Sequence, residues 1–162
     1  MSVGGTATPF NVVGATETLV NGLAEDGTVV GTAVISQQHV GFIRGANGKV
    51  RIFHVPRGVR GTFAAGINAT AGLIVGCHYD ASFLAHGFVY RYRAQTNAGE
   101  ERASGTSAAA EAVEAEIIDA SSSRSNTFVQ GVNASGVLVG TFQNVPNSGA
   151  RPAMGFIATP LK

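Results

Sequence analysis

Tryptophan is missing from this chain, cysteine occurs once, and charged residues make up only 13%. With Cys77 as the single thiol, an intrachain disulfide is excluded. The net charge of +1 does not supply the basic stripe of a nucleic-acid binder. No apolar run reaches the roughly 18 residues of a membrane-spanning helix, so no membrane partner is expected. The first residues have neither the basic start nor the apolar stretch of a secretory leader. They read as a cytoplasmic chain as it stands, or a secreted one whose leader was removed. The GxSxG, Walker A and HExxH motifs and zinc-type Cys/His spacings do not occur. No cofactor and no metal are therefore expected.

What is present is glycine and aliphatic residue. The 162 residues are 44% hydrophobic and include 22 glycines, which suits one all-β domain with many turns. Disorder needs low hydrophobicity and high charge, and this composition has the reverse. Of the 11 basic residues most are arginine. Arg44, Arg51, Arg57 and Arg60 gather within 17 residues of one another and read as solvated faces.

A unit recurs three times. Thr18, Thr62 and Thr127 each stand four residues before a glycine (Gly22, Gly66, Gly131). A second glycine follows (Gly27, Gly72, Gly136), then a third (Gly31, Gly76, Gly140) after a short apolar run. Each unit next carries a Gly-Phe pair: Gly41 and Phe42, Gly87 and Phe88, Gly155 and Phe156. A period of about 44 residues, Thr18 to Thr62, means that each unit cannot bury its apolar face alone. Short β-branched runs separated by turn residues predict four antiparallel strands per unit. Asn47-Gly48 predicts a hairpin with a type I′ turn, and Asn68 and Asn133 are read as turn residues.

Gly66, Ile67, Asn68, Gly72, Ile74, Val75 and Gly76, followed by His86, Gly87 and Phe88, resemble the HAF-type repeat of bacterial extracellular proteins. The resemblance covers nearly the whole chain outside one insertion. The third copy departs from it at Met154 and the first at Ala24. It implies β-propeller-like blades and carries no catalytic motif.

The spacing also predicts how the units join. Phe10 lies eight residues before Thr18, while Phe53 and Ile118 lie nine before Thr62 and Thr127. The segment around Phe10 is therefore the counterpart of a fourth strand, and the last unit ends too soon after Phe156 to supply its own. The expectation is a pseudo-threefold all-β fold of three four-stranded units, closed by the N-terminal strand beside Phe156, either of its own chain or of a neighbouring copy. The units run over 18–61, 62–126 and 127–162 plus 8–17. A self-closed β-trefoil or β-prism is the alternative, and two chains pooling blades into a six-bladed homodimer is a further expectation, since propellers have four to eight blades. The second unit carries an insertion at about 94–114, read as a disordered loop tip or as a flap over a site or partner. The stretch 107–116, rich in Ala and Glu, has the composition for one or two helical turns, a length marginal on its own in water.

Candidate site residues concentrate in the second unit. His54, His78, His86, Asp80 and Asp119 are the acid–base candidates. Tyr79, Tyr90 and Tyr92, with an apolar body and a polar tip, and Asn11 are the candidate ligand contacts. Asn11, His54 and Asp119 occupy equivalent positions in the repeat. Cys77 beside His78 invites a nucleophile reading, but neighbouring strand residues face opposite ways. The function that follows is a non-catalytic module that binds a small molecule or glycan, or acts as a scaffold. The alternative is a small cofactor-independent enzyme of cyclase, isomerase or lyase type in bacterial specialised metabolism.

Overall fold

Each copy of the repeat folds as one antiparallel sheet. The computed structural model describes residues 5–92, 110–120, 125–144 and 152–159, and its regular elements are all β. The first sheet holds β1 (Glu17–Leu23), β2 (Val29–Ile35), β3 (Gln38–Arg44) and β4 (Val50–His54). The second holds β5 (Thr62–Asn68), β6 (Leu73–Tyr79) and β7 (Ala85–Arg91). Two short strands, β8 (Glu111–Ala112) and β9 (Glu116–Ile118), then follow. β8 adds to β4 in parallel, and β9 adds to β7 as the fourth strand of the second sheet. The third sheet is β10 (Ser125–Val132), β11 (Leu138–Asn144) and β12 (Met154–Ala158).

The glycines of the repeat mark one structural device used three times. β1, β5 and β10 each carry a β-bulge, between Val20 and Gly22, Ala64 and Gly66, and Val129 and Gly131. Opposite each bulge a carbonyl presses onto the partner strand. A Cβ at Gly31, Gly76 or Gly140 would stand 1.9, 2.0 or 2.1 Å from the carbonyl oxygen of Leu19, Phe63 or Phe128. Only glycine fits there. The repeat threonine is equally specific. Val12, Val55 and Ala120 donate their backbone N–H to the hydroxyls of Thr18, Thr62 and Thr127 at 3.0, 3.0 and 3.2 Å. The equivalence of Phe10, Phe53 and Ile118 inferred from spacing is thus a shared hydrogen bond.

The three sheets stack in chain order. Val30, Ile43 and Phe53 of the first sheet meet Ala64, Ile74 and Phe88 of the second in one buried cluster. Val75 and Val89, on the other face of the second sheet, meet Val129 and Leu138 of the third. The second sheet is therefore buried on both faces, which is why β6 reads as an unbroken apolar run rather than an alternation. Among the described residues, its neighbours each have one face uncovered by another sheet.

Three expectations are corrected. Residues 7–15 form no strand and do not lie beside β12; Val12 and Phe10 pack instead on Phe42 of the first sheet. Phe10 and Phe42 meet edge to face at 5.9 Å. No sheet is closed within the chain, and β12 is a free edge among the described residues. The stretch 110–116 is extended rather than helical, because Val113 is drawn into the core between the first two sheets and bonds the carbonyl of His54 at 3.0 Å; 93–109, most of the insertion, lies outside the described residues. Finally, only Gly48 of the Asn47-Gly48 pair has positive φ, so that turn is not type I′. The two-residue turn with both φ positive falls on Ser36 and Gln37, between Ile35 and Gln38. Asn68 and Asn133 do serve turns, accepting the N–H of Ala71 and of Val137 at 2.9 Å.

Candidate functional site

The β6–β7 hairpin sets His78 directly opposite His86 and Cys77 opposite Gly87. Cross-strand partners share a face, so the two imidazoles stack, with centroids 5.4 Å apart. Cys77 is left without a base. Burial pushes its thiol up to about 12, which removes the thiolate that nucleophilic chemistry requires.

His86 is held at both ring nitrogens. Its Nδ1 donates to the carboxylate of Asp119, with oxygens at 3.0 and 3.2 Å, and its Nε2 stands 3.5 Å from Asp80 Oδ2. Asp119 arrives from the far side of the insertion, immediately after β9. Asp80 is fixed in the hairpin turn by the N–H groups of Ser82 and Leu84, at 2.8 and 2.9 Å. Burial on its own would raise the Asp80 pKa. The donors from Leu84 and Ser82, with His86, outweigh that and hold it below the ordinary carboxylate value. His78 beneath them is buried, and its Nδ1 has no hydrogen-bond partner among the described residues. Burial and the neighbouring His86 lower its pKa to about 4, with Arg57 acting the same way and Asp119 and Asp80 opposing. His78 is therefore neutral near pH 7.

The same turn carries an aromatic that the sequence reading passed over. Phe83 has positive φ and is exposed, with its N–H bonded to the carbonyl of Asp80 at 3.1 Å. Arg60 lies over its ring, 4.7 Å from the centroid. A bulky residue forced into a left-handed conformation at a loop tip is the signal that marks it. That conformation was not legible from residue type.

The other candidates go elsewhere. His54 bonds the carbonyl of Ala110 at 3.2 Å. Asn11 donates to the carbonyl of Ala15 at 3.1 Å. Together with Asp119, then, the three equivalent polar positions serve three different local partners. Tyr79 sits between Phe63 and Phe128, and Tyr90 packs on Phe53 with its hydroxyl bonded to Arg51 at 3.2 Å. Tyr92 is buried in the first inter-sheet core. The arginines likewise disperse: Arg44 covers Phe10 and Arg51 pairs with Glu111. A depression of about 480 Å³ lies along Tyr90, Arg91 and residues 111–116, and no candidate His or Asp lines it. Among the described residues no cluster of His, Cys, Asp or Glu could hold a metal ion.

No family model, curated protein or solved structure matches the chain.

Proposed function

We propose that the three sheets are propeller-type blades of the HAF kind, and that the chain is a non-catalytic module binding a glycan at the β6–β7 turn of the second blade. The observation that carries this reading is an exposed aromatic beside a fixed carboxylate in one turn, with a second carboxylate linked to them through His86. Phe83 is held out beside Asp80, and Asp80 is joined through His86 to Asp119. A sugar ring presents an apolar C–H face and a rim of hydroxyl donors. The negative face of an aromatic ring suits the first, and carboxylate oxygens suit the second. Both carboxylates keep about a third or more of their side chains in solvent, at 31% and 41%. A ligand of this kind meets groups that the turn holds in place and that stay open to solvent.

The test is a panel of neutral and acidic oligosaccharides read by ligand-observed NMR. Wild-type protein is expected to bind at least one class, and Phe83→Ala and Asp80→Asn to lose that binding while keeping the thermal midpoint within a few degrees. A panel with no binder, or binding unchanged in both variants, overturns the reading. A second reading, a cofactor-independent acid–base enzyme, draws on the 3.0 Å contact between His86 and Asp119. It requires turnover that His86→Ala abolishes and Phe83→Ala spares.

A further inference from the structure

We infer that two copies of this chain join head to tail into a closed six-bladed ring, in which the N-terminal arm of each copy becomes the fourth strand of its partner's third sheet. The inference rests on the blade reading of the sheets and is independent of the ligand.

The repeat shows what each blade receives from the next, because two of the successive contacts are present within one chain. On the face toward the following sheet, Ile43 of the first blade is 7% exposed and Val89 of the second is 8%. Ile157, their counterpart in the third, is 77% exposed. On the face toward the preceding sheet, Ile67 of the second blade is 9% exposed, whereas its counterpart Leu23 in the first is 71%. Val20 and Val139, about half exposed, repeat the pattern against the buried Ala64 and Val75. The two uncovered faces are thus the two halves of the contact the chain already makes twice.

The backbone says the same. Successive blades cross at their bulge glycines. A Cβ at Gly22 would meet the Cα of Gly66 at 3.2 Å, and one at Gly66 the Cα of Gly131 at 3.4 Å. At Gly131 no following blade is met, and only its own sheet's Val139 is near. The Gly-Phe pairs give a second sign. A Cβ at Gly41 would stand 2.4 Å from the ring of Phe53, and one at Gly87 2.7 Å from the carbonyl of Ile118. In each case the fourth strand covers the glycine. Gly155 has nothing closer than 3.9 Å, so a residue made small to admit a fourth strand faces an open edge.

The arm already sits where that strand belongs relative to the blade after it. Phe10 meets Phe42 edge to face at 5.9 Å as Phe53 meets Phe88 at 6.4 Å. Val12 bonds Thr18 as Val55 bonds Thr62. Among the described residues no sheet lies on its other side. Gly41 pairs with Phe53 and Gly87 with Ile118, so the same register sets Phe10 of one copy opposite Gly155 of the other, and Thr8 opposite Ile157. A heterologous contact either closes or runs on as a filament. Six is the one multiple of three within the four to eight blades that propellers use.

The experiment is solution mass by light scattering on the full chain, with two variants. Wild-type protein is expected at twice its 16.5 kDa. Ile157→Glu, at a position exposed in the single chain, is expected to give monomer with an unchanged β-type circular dichroism spectrum. The double variant Thr8→Cys, Ile157→Cys is expected to run as a dimer on a non-reducing gel and as a monomer after reduction. A wild-type monomer, a ladder of larger species, a dimer unaffected by Ile157→Glu, or a disulfide formed within one chain each overturns the ring. None of these outcomes bears on glycan binding.

Discussion

The backbone N–H of Val55 donates to the hydroxyl of Thr62 across 3.0 Å, and both residues are buried. That bond ties the last strand of one sheet to the first strand of the next, so it governs how the sheets stack. Thr62→Val keeps the shape and removes the acceptor, leaving a buried N–H unsatisfied at a cost of about 1–3 kcal/mol. The urea midpoint is expected to fall accordingly with the slope unchanged. Thr18→Val is expected to cost less, because Thr18 is only half-buried. Equal losses in the two variants would show that the bond is not what holds the junction.

Gly76 lies in the twice-covered second sheet, where an added Cβ would stand 2.0 Å from a carbonyl oxygen and 3.0 Å from the Cα of Ala64. Backbone on both counts cannot swing aside as a side chain would. Gly76→Ala is expected to destabilise by about 3 kcal/mol or more, enough to show as loss of soluble protein. Gly5→Ala, with nothing within 4 Å, is the matched control and is expected to be silent. Thermal denaturation of both variants checks the contrast.

Stability is expected to fall as pH drops from about 6.5 toward 4. His78 titrates near 6.5 when unfolded and at about 4 in the fold. Across that window the unfolded chain binds the extra proton, and linkage then favours unfolding as pH falls. The shift corresponds to on the order of 3 kcal/mol at most. Asp80 adds a separate loss at lower pH. Its folded pKa lies below the ordinary carboxylate value, so its contribution is present above that ordinary value and disappears as pH falls through the lower, folded one. Urea midpoints measured from pH 7 to pH 3 test this, with His78→Leu expected to flatten the upper part of the curve only. A wild-type curve flat between 6.5 and 4 would show that His78 is not held neutral by the fold.

Much of the candidate site was legible one residue at a time and not as an arrangement. His78, His86, Asp80 and Asp119 stood out as polar residues in an apolar repeat. Their grouping depends on register, since a slip of one residue would send His78 to the opposite face from His86. Asp119 reaches His86 from 33 positions away, past an insertion whose length hides the pairing. Tyr92 shows how little residue type alone says about a tyrosine. An aromatic with a polar tip serves a core as readily as a pocket, and Tyr92 went to the core.

By itself the sequence determined the number of sheets, the places of their turns and the equivalence of Phe10, Phe53 and Ile118. Each of these is written in spacing, and spacing within a repeat is set by local backbone geometry. The tertiary structure alone decided that the arm rests on Phe42 rather than beside Phe156, that β8 crosses to the first sheet, and that Leu23 and Ile157 stay uncovered. Those outcomes turn on which faces meet across long stretches of chain. A residue's type states that it wants burial, but only the assembled fold states what is there to bury it.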